Sequence, residues 1–293
     1  MAVLQLPSAV SFTALQTAAE RAAESSRSDA LFRDPFAQAM LAVVEGESGR
    51  VTAVEGGTLL PRFSPDMQWL FHNYVALRTH YLDQKLLAAA SEGLSQVVFL
   101  AAGMDGRGYR LAWPAEATIY ELDKPDLLSF KQEVARRAKL SPTARLIAVP
   151  ADLREDWLSP LLSAGFDLDQ PTLWLLEGIL QYLEVGSADQ LFATLSKVSA
   201  PGSRLISVYH VGDHLEPARR TGHDKADDIV AYAKIAQVGR LIRPEQWLPR
   251  HGWNLETTNL VAWADLLGRP SPPAMDPAQG GADCYLINAH HPD

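Results

Sequence analysis

The chain has 293 residues, a net charge of -9, 47% apolar and 21% charged side chains, and one cysteine. This is ordinary globular composition, with enough chain to bury a core without staples. The acidic balance argues against a partner as anionic as a nucleic-acid backbone. Cys284 alone excludes an intrachain disulfide and fits a reducing, cytoplasmic compartment.

Residues 1–13 lack a basic stretch followed by an apolar one, so no signal peptide is expected. No window approaches the roughly 18 unbroken apolar residues of a membrane span. The chain to about residue 92 reads as helical. Ser11-Phe12-Thr13 caps a helix running to Ser25, and Asp34-Pro35 starts another, since proline suits a first helical turn. Residues 46–65 are rich in Gly, Pro and Ser and read as a loop. Ser64-Pro65-Asp66 opens a long helix over 66–91.

After Gly93 the rhythm changes. Short apolar runs at 96–101, 117–122, 145–149, 172–176 and 204–209 alternate with helical stretches at 126–140, 154–164 and 187–199. Such alternation predicts βαβ units and a buried parallel sheet. The basic cluster Arg136-Arg137-Ala138-Lys139 reads as a solvated helix end. Residues 213–240 interrupt the pattern as a charged loop plus helix carrying His214 and His223, and 243–251 forms a further helix. Two last strands at 254–258 and 283–289, joined by a loop over 269–281, predict an antiparallel strand at one edge. Cys284 falls in the last strand and is expected to be buried, whereas His290-His291 looks like a tail. The histidines are too scattered for a metal cluster.

The predicted fold is therefore one doubly wound α/β domain over 1–293. It comprises a helical cap (1–92), a seven-stranded Rossmann-like core (93–293), and a lid insertion (213–240) after the fifth strand.

In such a sheet the ligand lies outside the carboxyl ends of the strands. The first strand ends in Ala101-Ala102-Gly103-Met104-Asp105-Gly106-Arg107-Gly108, a small-residue turn into a helix. It lets a ligand lie against the backbone, near helix N–H groups. Its glycine spacing is G-x-x-G-x-G, which is not the dinucleotide fingerprint, and no Lys-Ser/Thr follows as in a P-loop. After the second strand comes Glu121-Leu122-Asp123, about 20 residues past the turn, where an acid can accept from ribose hydroxyls. Asp123 could instead cap the next helix, but Asp126 is the better cap. After the third strand, Asp152-Leu153 could flank an adenine or cap a helix. After the fourth, Glu177 is an acid too costly to bury unpartnered, and its use is electrostatic, beside a cation. Small or acidic residues at four successive strand ends make one nucleoside-binding rim. S-adenosylmethionine suits it, since that molecule has an adenine, a ribose diol, a carboxylate and a sulfonium but no phosphate.

The chain resembles the leucine carboxyl methyltransferase superfamily, in its bacterial branch of S-adenosylmethionine-dependent methyltransferases. The resemblance spans Ser11-Phe12-Thr13-Ala14, Asp34-Pro35-Phe36, Arg78-Thr79, 97–105, Arg107, Arg110-Leu111 and 120–125. It continues through Asp152-Leu153-Arg154, 177–183 and 199–203. It implies that Arg78 holds the carboxylate of the cofactor's methionine part, a role suited to a bidentate guanidinium. It also implies that Gly103 and its neighbours, Ala101 among them, line that part, that Asp123 takes the ribose, that Asp152 and Leu153 flank the adenine, and that Glu177 sits near the amino group. Without the resemblance, Arg78 reads as a helix-surface arginine. The chain departs from the family pattern at Ala101, where glycine is usual, so a methyl crowds the cofactor, and at Gly106, where threonine is frequent.

Methyl transfer from a sulfonium is an in-line displacement governed by orientation. A carboxylate acceptor is already ionised at neutral pH, whereas a hydroxyl needs a base, for which His210, His214, His223 and Tyr182 are the candidates. Arg62, Arg219 and Arg220 lie in segments that would grip an acidic substrate. The expected function is O-methylation of a small molecule's carboxylate or hydroxyl in secondary metabolism, with neither nucleic acid nor membrane as partner. The alternatives are methylation of a protein or peptide C-terminal carboxylate, a non-catalytic S-adenosylmethionine-binding protein, and an NAD-dependent oxidoreductase, which the glycine spacing disfavours.

Overall fold

The structure is a computed structural model that describes residues 12–46, 65–212 and 242–292. The predicted lid therefore lies outside the described residues, and so do Arg62, His214, His223, Arg219 and Arg220.

Seven strands form one sheet: β1 (Gln96–Leu100), β2 (Thr118–Asp123), β3 (Arg145–Pro150), β4 (Thr172–Leu176), β5 (Arg204–Val211), β6 (Asn254–Asn259) and β7 (Asp283–His290). Their order is β3-β2-β1-β4-β5-β7-β6. All seven were expected within a few residues of these bounds. β1 and β4 are buried along their whole length, as continuous apolar runs in a parallel sheet require. β2 pairs parallel with β3, and β4 with β5. β7 runs antiparallel to both β5 and β6. The antiparallel strand thus sits second from the edge, with β6 outside it, which corrects the expectation of an edge position. β6 has the mostly exposed polar face that an edge tolerates. His290 closes β7, and His291 beyond it exchanges backbone hydrogen bonds with Gly202 and Ser203, so the pair is tied to the sheet and is not a tail.

The helices are α1 (Phe12–Ser25), α2 (Pro35–Gly46), α3 (Pro65–Ser91), α4 (Arg107–Arg110), α5 (Pro125–Arg137), α6 (Leu158–Ser163), α7 (Val185–Val198), α8 (Pro244–Trp247) and α9 (Leu260–Leu266). The sequence reading missed α9. Its cap is Asn259, whose side chain accepts from the Val261 N–H at 2.8 Å. The predicted 243–251 helix is one α turn followed by a 3-10 turn. Capping of α5 also differs from expectation: Lys124 holds the cap position with Pro125 inside it, and neither Asp123 nor Asp126 is the cap.

Two compact units emerge, residues 1–62 with 99–166, and 63–98 with 167–293. In the first, α1 and α2 pack through Leu15, Ala18, Phe36 and Met40 against Phe130 and Val134 of α5, with Met104 and Tyr109 from the turn region between. The core of the second is aromatic, with Tyr81, Trp174, Phe192, Tyr209, Trp247 and Trp253 all buried.

Candidate functional site

The turn after β1 owes its shape to two left-handed residues, Ala101 at φ 53° and Gly103 at φ 49°. The Ala102 N–H donates to the Leu122 carbonyl at 2.9 Å, and the Gly103 N–H donates to Asp123 Oδ2 at 2.7 Å. The two segments singled out in the sequence are thereby joined: the strand-end acid of β2 holds the glycine turn of β1. The other oxygen of Asp123 accepts the Lys124 N–H at 2.8 Å. A carboxylate offers roughly four acceptor positions, so Asp123 keeps capacity for two hydroxyl donors. Burial raises its pKa, against the pull of the Gly103 and Lys124 N–H groups. A Cβ added at Gly103 would come no nearer than 3.8 Å to the Ala101 carbonyl oxygen, so backbone conformation and room for a ligand, not packing, call for glycine there. The helix after the turn is the single turn α4, so the expected helix N-terminus does not extend beyond four residues.

Buried charges surround this turn. Asp105 accepts from the Arg107 backbone at 2.7 Å and from its guanidinium at 2.6 Å. Burial opposes its ionisation, but Arg107, Lys131 and Arg21 outweigh that and bring its pKa down to about 2. Glu121 pairs with Lys131 of α5 at 2.7 Å, so this acid is a structural partner and Asp123 is the one left facing the turn. Burial nonetheless raises the Glu121 pKa. Asp34 is fully buried and takes Arg21 at 2.9 Å and Arg110 at 3.5 Å. It also caps α2 by accepting the Ala37 N–H at 2.9 Å. The same Arg21 donates to the Met104 carbonyl at 2.5 Å. Sequence reasoning took Asp34-Pro35 as a helix start only, and it missed Arg21 altogether. Gly106 lies against this cluster, where an added Cβ would come within 2.4 Å of Asp34 Oδ1.

After β3, Asp152 accepts from the Arg154 backbone at 3.0 Å and from its Nε at 2.9 Å. The hydrogen bonds from Arg154 hold this carboxyl well below the usual carboxylate range. α6 begins only at Leu158, so Asp152 is not its cap. Leu153 beside it is half-buried.

In the second unit, Arg78 projects from α3 and is only 5% exposed, which overturns its reading as a surface arginine. Its Nε lies 3.0 Å from Glu177 Oε1, just past β4, though without the alignment of a directed hydrogen bond. Its NH1 donates to the Tyr74 hydroxyl at 3.0 Å, and its guanidinium carbon sits 4.7 Å from the centre of that ring. Glu177 thus has the cation its position demanded. Burial pushes the Tyr74 phenol up, with Arg78 opposing. His210 near the end of β5 packs against Tyr74, with ring centres 5.3 Å apart. Across the ladder from His210 stands Cys284, buried as expected, its thiol pushed up by that burial. Tyr182 lies in the 3-10 turn that follows Glu177.

Among the described residues no cluster of His, Cys, Asp or Glu could hold a metal ion, and no helix is long and apolar enough to cross a membrane. The leucine carboxyl methyltransferase family profile matches residues 14–196. A Mycobacteroides abscessus protein named "Putative S-adenosyl-L-methionine-dependent methyltransferase" is 37% identical over 96% of this chain and 95% of its own. A Mycolicibacterium smegmatis protein of the same name is 36% identical over 96% and 92%. The crystal structure of a DUF574 family protein from Streptomyces avermitilis shares the fold, with a TM-score of 0.53 at 16% identity over 78% of this chain and 86% of that one. With a profile match across 183 residues and relatives aligned along nearly its whole length, this chain belongs to the leucine carboxyl methyltransferase family.

Proposed function

We propose that the protein is an S-adenosylmethionine-dependent methyltransferase that transfers the methyl group to an oxygen, a carboxylate or hydroxyl, of a small molecule. The observation that carries the cofactor is the bond from the Gly103 N–H to Asp123. It joins a glycine turn with room at its surface to a carboxylate with capacity for two more donors, which is what a ribose diol presents. The bound cofactor supplies a methyl group on a sulfonium, an electrophile that needs no metal.

The chain's own residues bind and orient. Asp123 takes the ribose hydroxyls, and Asp152 with Leu153 flanks the adenine. The turn at Ala101 and Gly103 lines the methionine portion. Arg78 holds its carboxylate and Glu177 its amino group, so the ion pair between these two side chains is exchanged for two ion pairs with the zwitterion. Positioning of this kind supplies a large share of the rate in a displacement. A carboxylate acceptor arrives ionised and asks for no base. For a hydroxyl acceptor, His210 near the end of β5 and Tyr182 after β4 are the described candidates to take the proton.

Isothermal titration with S-adenosylhomocysteine tests the cofactor. Binding at micromolar or tighter affinity in the wild type, and its loss in Asp123→Ala, is the expected result. A wild type that binds neither this ligand nor S-adenosylmethionine would sink the reading. Transfer of radiolabelled methyl from S-adenosylmethionine to a panel of carboxylic acids, phenols and amines then tests the acceptor atom, and label confined to amine products would refute O-methylation.

A further inference from the structure

We infer that Arg21 is a positioning residue for the cofactor turn, and that α1 and α2 act on the cofactor through it. The inference rests on the cofactor reading above and adds to it a device that reaches the turn from outside the sheet. Arg21 uses its planar fork in two directions. Its Nε pairs with the fully buried Asp34 at 2.9 Å, and its NH2 donates to the Met104 carbonyl at 2.5 Å. Met104 lies between Gly103, whose N–H is held by Asp123, and Gly106, whose Cα abuts Asp34. The turn is thus pinned at its N–H side by β2 and at its carbonyl side by α1.

The Asp34 anchor is itself fixed. Its other oxygen accepts the Ala37 N–H at 2.9 Å, its own N–H donates to Ser25 Oγ at 2.8 Å, and that hydroxyl donates to the Arg21 carbonyl at 2.7 Å. The ring closes between the end of α1 and the start of α2. A guanidinium is the side chain that can bridge a carboxylate and a carbonyl in one rigid plane; an ammonium is a point charge and serves one well. The turn also contains a left-handed alanine, a conformation the surroundings must enforce. Pinning Met104 is one way they do so.

Arg21→Lys separates this role from folding, because lysine can still neutralise Asp34. The expected result is a weakening of S-adenosylhomocysteine binding on the order of tenfold or more, as befits a displaced binding surface. The unliganded melting temperature should change little. Amide hydrogen exchange should speed up in the peptide covering 101–106 and stay unchanged in peptides from α2 and α5. Wild-type affinity in this variant, or exchange that speeds up equally everywhere, overturns the inference. Should Arg21→Lys not fold, Arg21→Gln, which leaves Asp34 to Arg110, takes its place. Failure of both to fold also overturns it, since the pair would then be a requirement of the fold. The cofactor reading fails separately: its failure shows in the wild type, which would then bind nothing.

Discussion

The two units carry buried charge in different ways. In the first, three acids near the turn have several partners: Asp34 takes two arginines and a backbone N–H, Asp105 takes the backbone N–H and guanidinium of Arg107, and Asp123 takes two backbone N–H groups. In the second, Arg78 pairs with Glu177 at 3.0 Å and donates to the Tyr74 hydroxyl. A multiply held group is costly to move and suits a surface that must keep its shape. On the cofactor reading proposed above, the Arg78–Glu177 pair must instead exchange partners when a zwitterion binds. On that reading the first unit keeps the turn in shape, and the pair in the second gives up its contact to the ligand.

Converting each central carboxylate to its amide would break the comparison if the two costs came out equal. Asp34→Asn leaves two buried guanidiniums facing an amide, and it should lower unfolding stability by about 4 kcal/mol in denaturant titration. Glu177→Gln keeps an acceptor oxygen toward Arg78, which retains the Tyr74 hydroxyl and ring face, and it should cost about 2 kcal/mol. An equal or inverted order would mean that the second pair is as structural as the first.

Acid sharpens the same contrast within the first unit. Asp105 titrates at about 2 in the folded protein against an ordinary 3.8. Its folded pKa is lower than its unfolded one, so its ionised form stabilises the fold. That contribution is complete above the unfolded value and disappears as pH falls from about 4 toward 2. Asp123 and Glu121 have the opposite sign: their folded pKa values are raised, so their ionised forms cost stability at neutral pH, and acidification relieves that cost. Asp105→Asn should therefore flatten the loss of stability between about pH 4 and pH 2, measured by thermal melts across that range. A slope identical to wild type would remove Asp105 from the set of stabilising acids.

How much of this was legible beforehand follows from the range of each interaction. The strands were readable because β1 and β4 are apolar runs whose neighbours in sequence decide their burial. Asp123 was readable because its distance along the chain from the glycine turn is set by one helix and one strand. Arg21 was not, because nothing near it in the sequence reveals that it reaches Met104, a contact 83 residues away. Without the resemblance, Arg78 reads as a surface side chain for a related reason: α3 is buried around most of its middle turns, so no polar stripe distinguishes an inward arginine from an outward one. α9 was missed because the threonines of β6 lead directly into its cap, and strand and helix share Asn259 as their boundary. The antiparallel strand was misplaced because sequence gives the order of strands along the chain and not their order across the sheet.

The smallest effect tests the shape of the turn itself. Ala101 sits at φ 53°, where an alanine's Cβ crowds the following carbonyl at a cost of about 1 kcal/mol. Glycine adopts that conformation freely but gives up more chain entropy on folding, so the two terms partly cancel. Ala101→Gly should therefore raise stability by about 0.5 kcal/mol, a shift of a degree or two in the melting temperature. The cofactor titration reports on the other face of the same methyl. If the side chain only strains the backbone, the affinity for S-adenosylhomocysteine stays at the wild-type value while the melt rises. If it also crowds the methionine portion, as the departure from the family's glycine implies, affinity rises with the melt. A fall in stability would mean that the alanine makes packing contacts worth more than its strain, and the turn would then be held from within as well as by Asp123 and Arg21.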